Sequence, residues 1–399
     1  MKSTECLSPI SITGAGVISC AGQSLASFWQ SALDGNIGLN ASGLGEIPGF
    51  DDSEQLCKPA LIARHAIDAA MLEAGWPRLG KDDGLIIATT VGQIPLWEKD
   101  LTQYISRHID EREFGRRIIH QSLGSIVEAV ARSLNFDGKS LLVTSACSAS
   151  TQAIGLAAHW IRQGRVKRCL VGGTEVLSRL TIEGFRSLQL LSPQTCRPFD
   201  QNRQGINLSE GAAFFCLEPG SQDLGDRAIA DVTGVGFSTD AYHMAAPHPE
   251  GRGSYEAMRL AIDSAGLRPS DIDWVHAHGT GSKANDQSEG AAIHQLFGTD
   301  DREGPWVSST KALHGHALGA SGAIEVALCL QAMRKKTVLR TIGLTTPDPM
   351  IQVRHPHGNL ACEIRHIVKN TLGFGGNNAA LVLSLHESHR SQESRKGAR

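Results

Sequence analysis

Cys147 stands in LLVTSACSASTQAIG, where an apolar, β-favouring run over 141–143 gives way to small residues and then to a helical pattern from about residue 149. The spacing predicts a strand, a tight elbow and a helix start, with a thiol at the elbow. A helix N-terminus presents unpaired N–H groups and the positive end of the macrodipole, and both favour a thiolate over a thiol. That position suits a nucleophile. Two further clusters, HAHGTGS at 276–282 and STKALHGHALGASG at 309–322, supply His278, His316 and Lys311, the partners such a cysteine needs. Taken singly, a cysteine among small residues reads as a buried, inert thiol, and the three clusters together reverse that reading. Cys6, Cys20, Cys57, Cys169, Cys196, Cys216, Cys329 and Cys362 keep it. The pairs His276/His278 and His314/His316 invite a metal, yet residues two apart on a strand face opposite sides and no carboxylate set accompanies them, so no metal is expected.

The elements that must position these groups alternate between strand-like and helix-like segments punctuated by glycine, a rhythm that points to an α/β fold. A strand is predicted over 11–18, an amphipathic helix over 58–74 stopped by Gly75 and Pro77, and a buried strand over 84–90. A helix over 148–163 ends at Gly164, and a strand over 168–172 follows. The second half repeats this plan. ITGAGVIS near residue 12 has a counterpart in DVTGVGFS near 231, and EGAAFFCLEP at 210–219 one in NNAALVLSLHE at 377–387. The helix after Cys147 is likewise paralleled by GASGAIEVALCLQAMRKKTV after His316. Such a long period fits a duplicated α/β domain joined near 219–227, with halves over 1–224 and 225–387 and a frayed polar tail over 388–399. GAGVIS at 14–19 lacks the third glycine of a dinucleotide loop and reads as a packing turn.

With 399 residues and 41% apolar content, the chain can bury one large core or two ordinary ones. A net charge of −3 argues against a general nucleic-acid or membrane-surface binder. Nine cysteines without metal-ligand or disulfide-framework spacing fit a reducing cytoplasm. No stretch approaches signal-peptide or membrane-span length, so membrane insertion is not expected.

TSACSAS around Cys147, CRPFDQNRQG at 196–205, DAYHMAAPHPEG at 240–251, HAHGTGS, SSTKALHGHALGASGAIE and NTLGFGGNNAA follow one another as do the signatures of the β-ketoacyl-[acyl-carrier-protein] synthases. The chain resembles the two-histidine, elongating members of that family over nearly its whole length. The resemblance implies a thiolase-type fold: duplicated halves in an α-β-α-β-α layered sandwich, assembled as a homodimer or as a heterodimer with a ketosynthase homologue. It implies a decarboxylative Claisen condensation of an acyl thioester on Cys147 with malonyl-acyl carrier protein. The products would be a 3-oxoacyl-acyl carrier protein and CO₂, in fatty acid or specialised polyketide or polyene synthesis. No cofactor is implied, because the phosphopantetheine arrives on the acyl carrier protein.

By the same resemblance, Cys147 is the nucleophile, and the backbone N–H groups of Cys147 and Phe374 form the oxyanion hole. His278 and His316 stabilise the charge of decarboxylation, Lys311 supports them, and Glu325 stands behind Lys311. Thr280 and Ser282 hydrogen-bond the pantetheine arm, and Phe374 also gates the acyl tunnel. CRPFDQNRQG is expected to be a structural loop at the mouth of the site, and Arg64 and Arg203 to be solvated surface charges. Three places depart from the family pattern. His314 stands where threonine is common, Lys283 and Asn285 where proline and glycine are usual, and Leu372 where phenylalanine is common, which predicts a looser gate. An alternative is a non-condensing, chain-length-factor-like partner, although such partners generally lose the cysteine. A degradative thiolase would carry a second cysteine near GFGGNNAA, and starter enzymes of this fold have asparagine where His316 stands.

Overall fold

The computed structural model describes residues 9–52, 56–119, 121–298 and 304–386; the tail expected over 388–399 lies outside them. The first half contributes strands β1 (Ile10–Ser19), β2 (Gly84–Ala88), β3 (Lys139–Val143), β4 (Cys169–Glu175) and β5 (Gly211–Pro219). Its helices are α1 (Leu25–Asp34), α2 (Lys58–Ala74), α3 (Ile94–Ile105), α4 (Glu111–Ile118), α5 (Ser125–Ser133), α6 (Ala149–Arg162) and α7 (Arg179–Ser187). A short 3₁₀ turn, Gln222–Arg227, leads to β6 (Ala230–Thr239), β7 (Trp274–His276) and β8 (Trp306–Ser308). A two-stranded ribbon, β9 (Thr337–Val338) and β10 (Leu360–Ala361), precedes β11 (His366–Gly373) and β12 (Asn377–Ser384). The helices of this half are α8 (Arg252–Ser264), α9 (Lys283–Phe297), α10 (Lys311–His314) and α11 (Ser321–Lys335).

Duplication is written in the sheet. Its order is β3-β2-β4-β5-β1 followed by β6-β12-β11-β7-β8, so each half lays down five strands in matching order, running outward from β1 and β6. The pairing senses match as well: β1 with β5 and β5 with β4 are antiparallel, β4 with β2 and β2 with β3 parallel. In the second half β6 with β12 and β12 with β11 are antiparallel, β11 with β7 and β7 with β8 parallel. The two sheets are not separate. Ile10–Ile12 pairs with residues 230–232 of β6, which joins them along one corner into ten continuous strands.

The twin glycines of each half lie within a strand, where a turn was expected. A Cβ on Gly16 would sit 1.9 Å from the carbonyl oxygen of Ala66, and one on Gly236 2.0 Å from that of Ala257. The glycines let α2 press onto β1 and α8 onto β6 at backbone distance. Between the sheets run α6 and α11, sharing one apolar core with both inner faces, and α11 is buried from Ser321 to Met333. On the outer faces α2 and α5 cover the first sheet and α8 and α9 the second. This is the five-layer α/β architecture expected of the chain. The helix predicted over 58–74 forms over those residues, because Pro59 fits its first turn and Gly75 ends it in the left-handed conformation.

Candidate active site

The site is built where parallel strands end. β3 stops at Val143, and the chain turns through Ala146, whose φ of 49° is unusual for a residue with a side chain. Cys147 follows at the bend, and α6 begins two residues later. In the second half β8 leads through α10 to His316 and then to α11. Small residues bring the two helix starts together: a Cβ on Gly322 would lie 2.1 Å from Thr151 Oγ1, and Ala323 N–H donates to Ser150 Oγ at 2.9 Å. Cys147 Sγ and His316 Nε2 therefore meet at 3.1 Å across the duplication.

His278 comes from the loop after β7. Two buried carboxylates of α9 hold that loop. Glu289 accepts the N–H groups of His278 (2.7 Å) and Gly279 (2.8 Å), and Asp286 those of Thr280 (3.1 Å) and Gly281 (3.2 Å). The His278 and His316 rings stand nearly perpendicular with centroids 5.2 Å apart. Lys311 Nζ donates to the His278 carbonyl oxygen at 2.8 Å and lies 3.3 Å from its Nδ1. An ammonium beside Nδ1 leaves the ring proton on Nε2. On His316, Nδ1 meets the Ser321 hydroxyl at 2.8 Å, which can donate or accept and so serves either tautomer.

Burial pushes the Cys147 thiol up to about 11, against the pull of Lys311 and of the Phe374 and Cys147 backbone N–H groups. At this buried elbow, loss of solvation outweighs the pull of the helix start. The thiol holds its proton until a base takes it. Both histidines are held well below the ordinary imidazole range, first by burial and then by Lys311, so they are neutral. Glu325 pairs with Lys311 and lies 2.8 Å from Lys369, and although burial opposes it, the two ammonium groups hold its carboxyl well below the usual range. The Cys147 sulfur and a nitrogen from each histidine fall within 4.8 Å of one another, a spacing a cation could use. Lys311 stands directly behind His278, however, and its charge opposes a second cation there.

A cavity of about 360 Å³ opens onto Cys147, His278 and His316 and is lined by Thr280, Ser282 and Phe374. Lys311 stands behind His278 and Glu325 one layer further back, and neither lines the cavity. Phe374 stacks on Phe185 of α7 (5.4 Å between centroids, 17° between planes), and Leu372 is buried in the cavity wall. A Cβ on Gly373 would lie 3.0 Å from Ser148 Oγ and 3.1 Å from the carbonyl oxygen of Ser145, which brings the Phe374 backbone against the cysteine elbow.

Of the two expected surface charges, Arg64 keeps its place at the surface and Arg203 does not. Arg203 is 2% exposed, pairs with Asp348 (2.6 Å) and faces Asp286 at 3.7 Å, because its loop folds inward beneath the mouth. Arg64 is tied to Asp68 and to the Ser133 carbonyl oxygen. His314 turns away from the cavity to the Thr310 hydroxyl (3.1 Å) and the Phe28 ring. The sequence reading also missed Asp286, Glu289, Ser321, Phe185 and Lys369. A lysine inside the apolar strand HIVKNTLG and two acids three apart after the histidine loop were the available signals.

The family model "Beta-ketoacyl synthase, N-terminal domain" matches residues 50–223, and "Beta-ketoacyl synthase, C-terminal domain" matches residues 229–345. The chain belongs to the β-ketoacyl synthase family. Nodulation protein E of Rhizobium meliloti (strain 1021) is 33% identical over 397 residues, covering 93% of this chain and 98% of that protein. 3-oxoacyl-[acyl-carrier-protein] synthase 2 of Staphylococcus aureus (strain COL) is 30% identical over 412 residues, covering 94% and 98%. Among solved structures, a type II polyketide ketosynthase in complex with its acyl-carrier protein, bound to the hexaketide, superposes with a TM-score of 0.88. It is 26% identical, and the match covers 95% of this chain and all of that one. The ishigamide ketosynthase/chain length factor gives 0.87 at 29% identity, covering 95% and 99%. As a β-ketoacyl synthase the protein is a condensing acyltransferase.

Proposed function

We propose that this synthase extends an acyl chain held on Cys147 by one malonyl unit, and the 3.1 Å contact between Cys147 Sγ and His316 Nε2 carries the reading. The thiol proton passes to His316, the sulfur attacks the acyl thioester, and the departing pantetheine thiolate takes the proton back. The Phe374 and Cys147 N–H groups directed at the sulfur meet the oxyanion of that step. In the second half-reaction the malonyl C–CO₂⁻ bond breaks, CO₂ leaves, and the electron pair forms an enolate. The Nε2–H of His278, and that of His316 once its ring proton has moved from Nδ1 to Nε2, a change the Ser321 hydroxyl accommodates, receive the charge on the thioester oxygen. The enolate carbon attacks the acyl-enzyme, and the Cys147 thiolate is released. Lys311 fixes the His278 tautomer, Glu325 holds Lys311, Thr280 and Ser282 take the pantetheine amides, and Phe374 with Phe185 closes the acyl end.

No resident cofactor enters these steps. The substrates arrive on an acyl carrier protein in the cytoplasm, and no helix among the described residues is long and apolar enough to cross a membrane. A second ketosynthase-like chain pairs with this one. The open edge of β3 and the exposed apolar residues Trp97, Tyr104, Ile105 and Ile119 on and beside the α3–α4 hairpin support that assembly. Incubation with an acyl-carrier thioester should add one acyl mass to the intact protein, and Cys147→Ala should abolish it. An acylated alanine variant would overturn the assignment, and an unacylated native protein would point to a non-condensing partner.

A further inference from the structure

Behind the histidines lies a second lysine that the steps above do not use. Lys369 of β11 is fully buried, and its side chain crosses to α11, where Nζ lies 2.8 Å from Glu325 Oε2. The other oxygen of Glu325 is held by Lys311, which reaches His278. Lys369 Nζ also donates to the Asn370 carbonyl oxygen and lies 3.5 Å from that of His276. The charged and titratable groups around Lys369 are Lys311 and His314 of α10, Glu325 and Cys329 of α11, His276 of β7, the site histidines His278 and His316, and Glu289 of α9. Burial first, and the lysines after it, hold His276 down to about 3, and burial holds His314 to about 4, so both are neutral. Lys311 and Lys369 then share the Glu325 carboxylate, which opposes the downward push of burial on Lys369, and these three groups sum to one positive charge; Glu289 is held separately by the His278 and Gly279 N–H groups and by Asn370 Nδ2.

An apolar side chain of similar volume would fill this space without the desolvation that a buried ammonium demands. A charge kept under those conditions and one carboxylate away from Lys311 has an electrostatic consequence at the reacting centre. We infer that Lys369 is a positioning residue of the condensing site: it occupies one oxygen of Glu325, leaves Lys311 shared with His278, and keeps the cluster net positive. That charge disfavours imidazolium at His278 and His316, whose N–H groups must be neutral donors, and favours the anion formed on the thioester oxygen.

The inference rests on the condensing function proposed above and is tested by the pH profile of CO₂ release from a malonyl-carrier thioester. Removing a positive charge makes the histidines easier to protonate. Lys369→Met should therefore move the acid limb upward by roughly one pH unit, the size of a unit charge acting across a few ångströms of partly screened protein. Lys369→Arg should leave the limb in place, and adding Glu325→Gln to Lys369→Met should restore the net charge and return the limb toward the native position. An unmoved limb in a folded Lys369→Met protein overturns the inference, as does an arginine variant that shifts as far as methionine. Should Lys369→Met not fold, Glu325→Gln alone raises the cluster charge and must move the limb downward; a limb that stays put overturns the inference there too. A native protein that releases no CO₂ overturns the condensing function itself, and this inference with it.

Discussion

At the end of β3 the chain bends through Ala146 and enters α6 with Cys147 at the turn; after β8 it bends through His316 and enters α11. The two bends occupy matching places in a duplicated sheet, yet their surroundings differ. Around Cys147 stand Ser145, Ala146, Ser148, Ser150 and Thr151, small and uncharged. Behind His316 and His278 stand Lys311, Glu325 and Lys369, all buried. The first half's buried carboxylate near the site, Glu175, is spent on structure, accepting the N–H groups of Thr90 (2.8 Å), Val91 (3.0 Å) and Gly319 (3.0 Å). Duplication thus provided two facing helix starts, and the halves divided the labour: one offers an unobstructed nucleophile, the other the donors and charge that stabilise an anion.

The largest effect that could break this division comes from Lys311→Ala. If the second half serves the enolate, CO₂ release should fall by roughly 100-fold, as when a group that orients a transition-state donor is lost. Acylation of Cys147, read by intact mass, should fall much less. Equal losses in both half-reactions would show that the halves do not divide the chemistry, and that Lys311 acts chiefly on the thiol.

How much of the comparison is legible in sequence depends on which forces placed each residue. The strand-helix succession and the repeated GxG strands are local patterns that a single chain displays, and the repeat sets Cys147 and His316 at matching places in the two halves. The joined corner of the sheets is not such a pattern, because three residue pairs between β1 and β6 leave no mark on composition. Arg203 looked like a surface charge since its partners, Asp286 and Asp348, lie far along the chain. Lys369 could be seen as odd in an apolar strand, but its partner sits on a helix more than forty residues earlier. The upward push on the thiol depends on its burial, which only the folded arrangement of both halves creates.

The matched glycines offer a sharper comparison with a smaller effect. Gly16→Ala and Gly236→Ala each push a methyl against a helix carbonyl that cannot retreat without moving the helix. Each should destabilise the protein by about 1–3 kcal/mol, the usual range for overpacking. Thermal or denaturant unfolding of both variants checks this. If the halves are equivalent in packing and differ only in chemistry, the two losses should agree closely, and a large loss in one alone would mean that the sheet plan is shared in outline but not in tightness.

The smallest expected effect lies where the halves touch over the cavity. Phe185 belongs to the first half and Phe374 to the second, and their stacked rings close one wall of the acyl space. An offset aromatic pair contributes about 0.5–1.5 kcal/mol beyond its buried area. Phe185→Leu keeps an apolar side chain and removes the stacking, so Phe374 and its backbone N–H should become less firmly held beside Cys147. The acylation rate should fall only a few-fold, as one aromatic contact allows, with CO₂ release little changed. A loss as large as that of Lys311→Ala would mean that the stack, and not the amide geometry fixed by Gly373, sets the position of the oxyanion donor.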